Sequence, residues 1–166
     1  MQDKRIPEFN EIVNLEKKSF KEGSGIFQKE IIGKWRFKYV WKKSAQNADN
    51  ISSSLLQVLS ASLELSEIDS EGEDEGKDLE IINSVKFGLL SLVFKGKAFL
   101  KGKRPLLFFY FQKFFLKIGN FEIVEKSINK IDDKNMPFFS LIGVDIDKRW
   151  LCARGKGGGL AIWIKD

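Results

Sequence analysis

A chain of 166 residues, 43% apolar and holding 15 Phe, can bury one core of ordinary domain size and is too apolar to stay disordered. It contains no His and one Cys, which excludes Ser-His-Asp and Cys-His nucleophiles, the usual zinc ligand sets and an internal disulfide framework. The formal charge of +5 is unevenly spread: residues 67–80 hold eight acids against one base, so the remainder stands at +12 and favours anionic partners such as nucleic acid or acidic lipid headgroups.

The first 32 residues read as helical. Pro7 suits a first helical turn, and Phe9, Ile12, Val13, Glu16 and Phe20 follow at spacings of three to four until Gly23-Ser24-Gly25 breaks the pattern. Two roles fit this segment: an amphipathic helix lying on a membrane, or a helix plugging one end of a barrel, the latter favoured by its short apolar stripe. The opening residues lack the apolar stretch of a signal peptide, and no apolar run approaches the roughly 18–20 residues that span a bilayer. The expectation is an intracellular protein, cytoplasmic or peripheral to a membrane, which the lone Cys152 also fits.

From Gly33 the period switches to two. Trp35, Phe37, Tyr39 and Trp41 alternate with Lys34, Arg36, Lys38 and Lys42, which predicts a strand with one aromatic and one cationic face. Ser52, Ser53 or Ser54 can cap a short helix through Leu59, and a strand is expected near 61–65. Residues 67–78 form an acidic loop whose ligand order is not that of a calcium-binding hand, so a solvated hairpin loop is the expectation. Further strands are placed at 79–87, 89–95, 97–101, 105–111 and 114–119, with Gly88, Gly96 and Gly102 as turns. Residues 120–135 show no clear period. Strands then follow at 137–144, 149–154 and 160–165, the last two joined by the Gly155–Gly159 stretch as a hairpin turn. The fold class that results is mainly all-β, an antiparallel barrel with an N-terminal helix and a short helix after the first strand. It forms a single domain, 1–166, divided into a helical segment at 1–32 and a barrel at 33–166.

Several residues invite a chemical reading beside a plain one. Lys95, Lys97, Lys101, Lys103 and Arg104 cluster around two turns and can dock on anionic lipid, or can be solvated strand ends that discourage edge pairing. Asn83 shares a face with Ile81, Val85 and Phe87, where it bonds a backbone bulge or addresses a polar ligand head. Phe108 to Phe111 lie outside any RNA-binding motif and read as core. Cys152, with no base to activate it, reads as a small core residue.

Gly33-Lys34-Trp35-Arg36-Phe37-Lys38-Tyr39 resembles the opening strand, G-x-W-x-L-x-Y-T, of the plastid-lipid-associated (fibrillin) family. Asp147, Arg154-Gly155 and Gly158-x-Leu160-Ala161-Ile162 resemble that family's closing stretch, and Asn83-x-Val85 matches a middle strand. These blocks cover about residues 30–165. Val40, Asp145, Leu151 and Ala161 depart from the pattern, replacing a threonine, a tyrosine, an arginine and a phenylalanine. The resemblance implies a lipocalin-like calycin barrel of cyanobacterial type, with Arg154 packed on Trp35 as a cation–π contact that closes one barrel end. It also implies non-catalytic binding of a lipid or isoprenoid-type molecule at photosynthetic (thylakoid) membranes.

The reading is therefore a non-enzymatic, cofactor-free monomer that takes a hydrophobic ligand through Phe37, Tyr39, Asn83, Phe108 and Tyr110. Gly33, Trp35, Asp147, Arg154 and Gly155 serve as framework, and Lys95, Lys97, Lys101, Lys103 and Arg104 touch anionic membrane peripherally. A calycin-type bilin lyase, acting in chromophore attachment to phycobiliproteins, is the alternative. A basic nucleic-acid-binding module ranks third because its aromatics lie in apolar runs.

Overall fold

The computed structural model describes residues 6–43, 61–68, 78–129 and 131–166. Two helices come first. Helix α1 (Phe9–Glu22) starts where the Glu8 backbone N–H donates to the Glu11 side chain at 2.8 Å, and ends at Gly23, whose φ of 87° suits glycine. Ile12, Glu16 and Ser19 form its buried stripe. The short α2 (Gln28–Ile31) leads into the first strand.

The strands are β1 (Gly33–Trp41), β2 (Ser62–Glu67), β3 (Leu79–Phe87), β4 (Leu90–Lys101), β5 (Leu106–Ile118), β6 (Phe121–Ser127), β7 (Phe138–Asp145), β8 (Trp150–Gly155) and β9 (Leu160–Lys165). All neighbours pair antiparallel in the order β4-β3-β2-β1-β9-β8-β7-β5-β6, and β4 also pairs β5. Eight strands therefore close into a ring, and β6 hangs on β5 outside it. The chain is a mainly all-β, barrel-like antiparallel fold with an N-terminal helix. The helix expected over 52–60 and most of the acidic loop, 69–77, lie outside the described residues.

Two cores result. Every strand of the ring sends side chains to the first, among them Trp35, Leu63, Ile81, Ala98, Leu107, Leu141, Leu151 and Trp163, so this core is the ring interior. Ile26 and Ile31 join it from the segment before β1. The second core lies on the outer wall, where Ile12 of α1 packs over Trp41, Ile142, Trp150, Cys152, Leu160 and Ile162. The plugging role expected of the whole N-terminal segment thus divides. The residues around α2 help fill the ring, whereas α1 covers its outside.

Three local expectations are corrected. Gly96 is no turn: β4 runs unbroken from Leu90 to Lys101, and a Cβ at Gly96 would collide with the Tyr110 carbonyl oxygen and lie 2.7 Å from the Phe111 Cα. Glycine is needed there because β5 crowds in at a bulge, where pairing shifts between Lys95 and Gly96. For the same reason 105–111 and 114–119 form one strand. Residues 121–127, read as irregular, form β6. The glycine-rich hairpin at 155–159 is as expected, with Gly158 at φ 89°.

Candidate functional site

Among the described residues, one section of the ring interior is filled. The space among Ile31, Leu63, Leu107, Leu141, Leu151 and Trp163 is too narrow to admit a water molecule. Phe37 belongs to this packing, with its ring edge-on to Trp163 at 6.5 Å. Eight-stranded barrels either fill with their own side chains or hold one small ligand; this section of the ring does the former.

A bulge in the β1–β9 pairing between Phe37 and Tyr39 splits the expected aromatic face. Trp35 and Phe37 point inward. Tyr39 and Trp41 turn to the outer wall beneath α1, their rings 6.2 Å apart. Tyr39 is therefore not an interior ligand contact, because one inserted residue reverses a strand's faces. Phe108 and Tyr110 alternate with the inward Leu107, Phe109 and Phe111 and so face outward as well. Phe108 stacks on Phe99 at 5.5 Å, and with Tyr110, Lys97 and Lys101 they line a surface groove of about 410 Å³.

The framework residues also differ from expectation in part. Trp35 is fully buried, and its indole N–H donates to the Ile31 carbonyl at 2.8 Å. Arg154 does not cover it. The register puts Trp35 beside Lys165 and Arg154 beside Leu160, at opposite ends of β9. Lys165 Nζ sits 5.1 Å from the Trp35 ring instead. Arg154 lies on the outer wall, where Nε and one terminal nitrogen each donate to Glu16 of α1 at 2.6 Å. Its other terminal nitrogen donates to the Gly158 carbonyl at 2.8 Å. The hydrogen bond to the Glu16 carboxylate raises the guanidinium pKa further, so Arg154 keeps its charge throughout the ordinary pH range. Asp147 is exposed in the β7–β8 turn, where Asp145 accepts the Lys148 backbone N–H at 2.8 Å. Gly33, at φ 127°, lies against the Lys165 side chain, and the Gly155 N–H donates to the Gly159 carbonyl. Burial pushes the Cys152 thiol up to about 12, which makes it an inert core group.

The five bases expected to dock form no single patch. Lys95, Lys97 and Lys101 share the outer face of β4, with Lys95 Nζ 5.6 Å from the Phe115 ring and Lys97 3.8 Å from Asp78. Lys103 and Arg104 sit on the turn that follows Lys101, away from Lys95, and the Arg104 guanidinium lies 3.3 Å over the Phe20 ring.

Beyond the bulge at Lys95 and Gly96, the four strands β3 to β6 leave the ring as an arm. Directly paired residues share a face, so the registers give three rungs on the face continuous with the ring interior. Asn83, Phe94, Phe114 and Lys126 form the innermost; Val85, Leu92, Leu116 and Val124 the middle one; Phe87, Leu90, Ile118 and Phe121 the tip. Phe94 joins Phe111 at 5.5 Å and Phe114 at 5.2 Å in an aromatic cluster at the base of the arm. Asn83 is a polar group at that boundary, and its side chain is half-buried, as are those of the middle rung. The opposite face carries Lys86, Lys95, Lys113, Lys117, Glu122 and Glu125, including a 2.6 Å Lys113–Glu125 pair.

The two inner rungs therefore make a largely apolar wall with two polar groups at its foot, the Asn83 amide and the exposed Lys126, and this is the candidate site. Of the residues expected to bind, Asn83 lies on it, Phe37 is packed in the ring below, and Tyr39, Phe108 and Tyr110 are elsewhere. Sequence reasoning missed the wall, although Leu92 and Phe94 and then Phe114 and Leu116 carry the alternation that marks it. No protein-family model matches this chain, and no curated protein matches it either.

Proposed function

We propose that the protein binds an apolar, membrane-derived molecule, a lipid or an isoprenoid, without transforming it, and that the wall of the arm above Asn83 is where it does so. The observation that carries this reading is the apolar surface of Val85, Leu92, Phe94, Phe114, Leu116 and Val124 on one face of the arm, its middle rung only half-buried. Such a surface favours a guest bound by burial, with the Asn83 amide and Lys126 at its foot to orient a polar end. The resemblance to plastid-lipid-associated proteins points to the same ligand class and to photosynthetic membranes as its setting. Arg154, the base a tetrapyrrole carboxylate would seek, is already committed to Glu16, which weighs against the bilin-lyase alternative. Lysines of the arm, Lys95 among them, supply attraction toward an anionic membrane, so approach weakens as salt rises whereas ligand retention does not.

The test is uptake of a fluorescent fatty acid, a quinone and a carotenoid by the wild type and by a Leu92→Asp, Leu116→Asp double variant. The wild type takes up at least one of them, and the double variant loses uptake by tenfold or more while its far-UV circular dichroism stays that of the wild type. No uptake by the wild type, or undiminished uptake by a folded double variant, rejects the reading.

A further inference from the structure

We infer that the β3–β4 and β5–β6 turns together form a wedge that enters the headgroup–acyl boundary of an anionic bilayer. This rests on the ligand reading only in naming where the guest comes from; the surface itself is argued independently. At the tip of the arm Phe87 is 62% exposed, Leu89 71%, Ile118 47% and Phe121 77%. Isolated exposed apolar residues are ordinary, but four large ones on adjoining turns are not.

The two turns are one unit. The Gly119 N–H donates to the Leu89 carbonyl at 2.7 Å, and β4 and β5 pair without interruption between their base and Leu90 and Ile118. Its shape is a strand end, two reverse turns side by side, and not a groove that would receive a peptide.

Charge selects the occupant. Residues 84–95 and 113–127 carry five lysines against two glutamates. Lys86 and Lys117 stand one residue behind Phe87 and Ile118, about 3.3 Å further from the tip; Lys117 lies 3.7 Å from the Glu122 carboxylate, and Lys86 is placed to reach lipid phosphates as the apolar side chains sink past it. A second copy meeting this end would bring lysines against lysines, whereas acidic lipid complements them. The Lys103 turn, at the far end of β4, remains in solvent.

The test uses the full chain and vesicles of phosphatidylcholine with 30% phosphatidylglycerol, beside pure phosphatidylcholine. Leu89→Ser with Phe121→Ser lowers binding to the anionic vesicles by tenfold or more, and Lys103→Glu leaves it within twofold. An environment-sensitive dye on a Phe121→Cys variant shifts to the blue on adding vesicles, since Cys152 is buried and stays unlabelled. Vesicle binding unchanged by the double serine variant, or a dye that reports water in the presence of vesicles, overturns the wedge. So does a concentration-dependent dimer, seen by light scattering without lipid and dissolved by the same substitutions. Uptake of the fluorescent fatty acid from dilute solution separates the two ideas. A wild type that docks but takes up nothing loses the ligand reading and keeps the wedge, and one that takes up ligand but ignores vesicles does the reverse.

Discussion

The ring and the arm share three strands, yet the same alternating pattern does opposite things in them. In the lower half of β5, Leu107 and Phe109 are buried because β7, β8 and β9 close the ring across from them. In its upper half, Leu116 is half-buried and Ile118 exposed, because the described strands opposite have ended. Apolar area stabilises a fold only when something removes it from water, at about 25 cal/mol per Å². One strand thus contributes a core at one end and an available surface at the other.

Substitution separates the two regions most sharply at Trp35. Trp35→Ala should destabilise the fold by about 3–5 kcal/mol, as aromatic truncations in packed cores do. A loss below 1 kcal/mol in urea melts would mean that the ring is not the stable part. The junction comes next. Gly96→Ala forces a Cβ against β5 backbone, so a loss of about 1–3 kcal/mol is expected from overpacking. A neutral melt would show that the bulge gives way without penalty.

A pH titration probes the helix-covered wall. The Cys152 thiol rises from 9.0 to about 12 on burial, so above pH 9 the unfolded chain releases its proton while the folded chain keeps it. Stability contributed by Cys152 therefore falls between pH 9 and 12, with a slope of at most about 1.4 kcal/mol per pH unit. Cys152→Ala should flatten the wild-type slope in that window, and parallel slopes would contradict the burial. The smallest effect belongs to the arm. Phe121→Ala should change stability by no more than about 0.5 kcal/mol, and a core-sized loss there would show that the tip is packed.

The limits of the sequence reading follow this division. The bounds of β3 and β9 are those expected, because each strand has a core face and glycine or polar punctuation at its ends. Phe121 to Ser127 gave no period because β6 pairs on one side only and is mostly exposed, so no burial imprints alternation on it. Tyr39 was put on the wrong face because a bulge leaves no mark in composition. The Arg154–Trp35 contact failed for a different reason. It depends on registers across three strands, and no local pattern specifies whether Arg154 meets Trp35 or Glu16, 138 residues away. The candidate site was half legible: Asn83 was singled out, but the wall it belongs to required knowing that β4 and β5 run on past Gly96.

The closure of the ring by β1 and β9 has a consequence for how the chain is made. Trp35 pairs with Lys165, so the first strand waits for the last before its free edge is covered. During synthesis β1 cannot gain its β9 partner until the β8–β9 hairpin has left the ribosome. Pairings this distant slow folding and leave an edge on which neighbouring chains can pair. The charged residues of β1, Lys34, Arg36 and Lys38, occupy the positions between its buried aromatics and keep that waiting edge soluble.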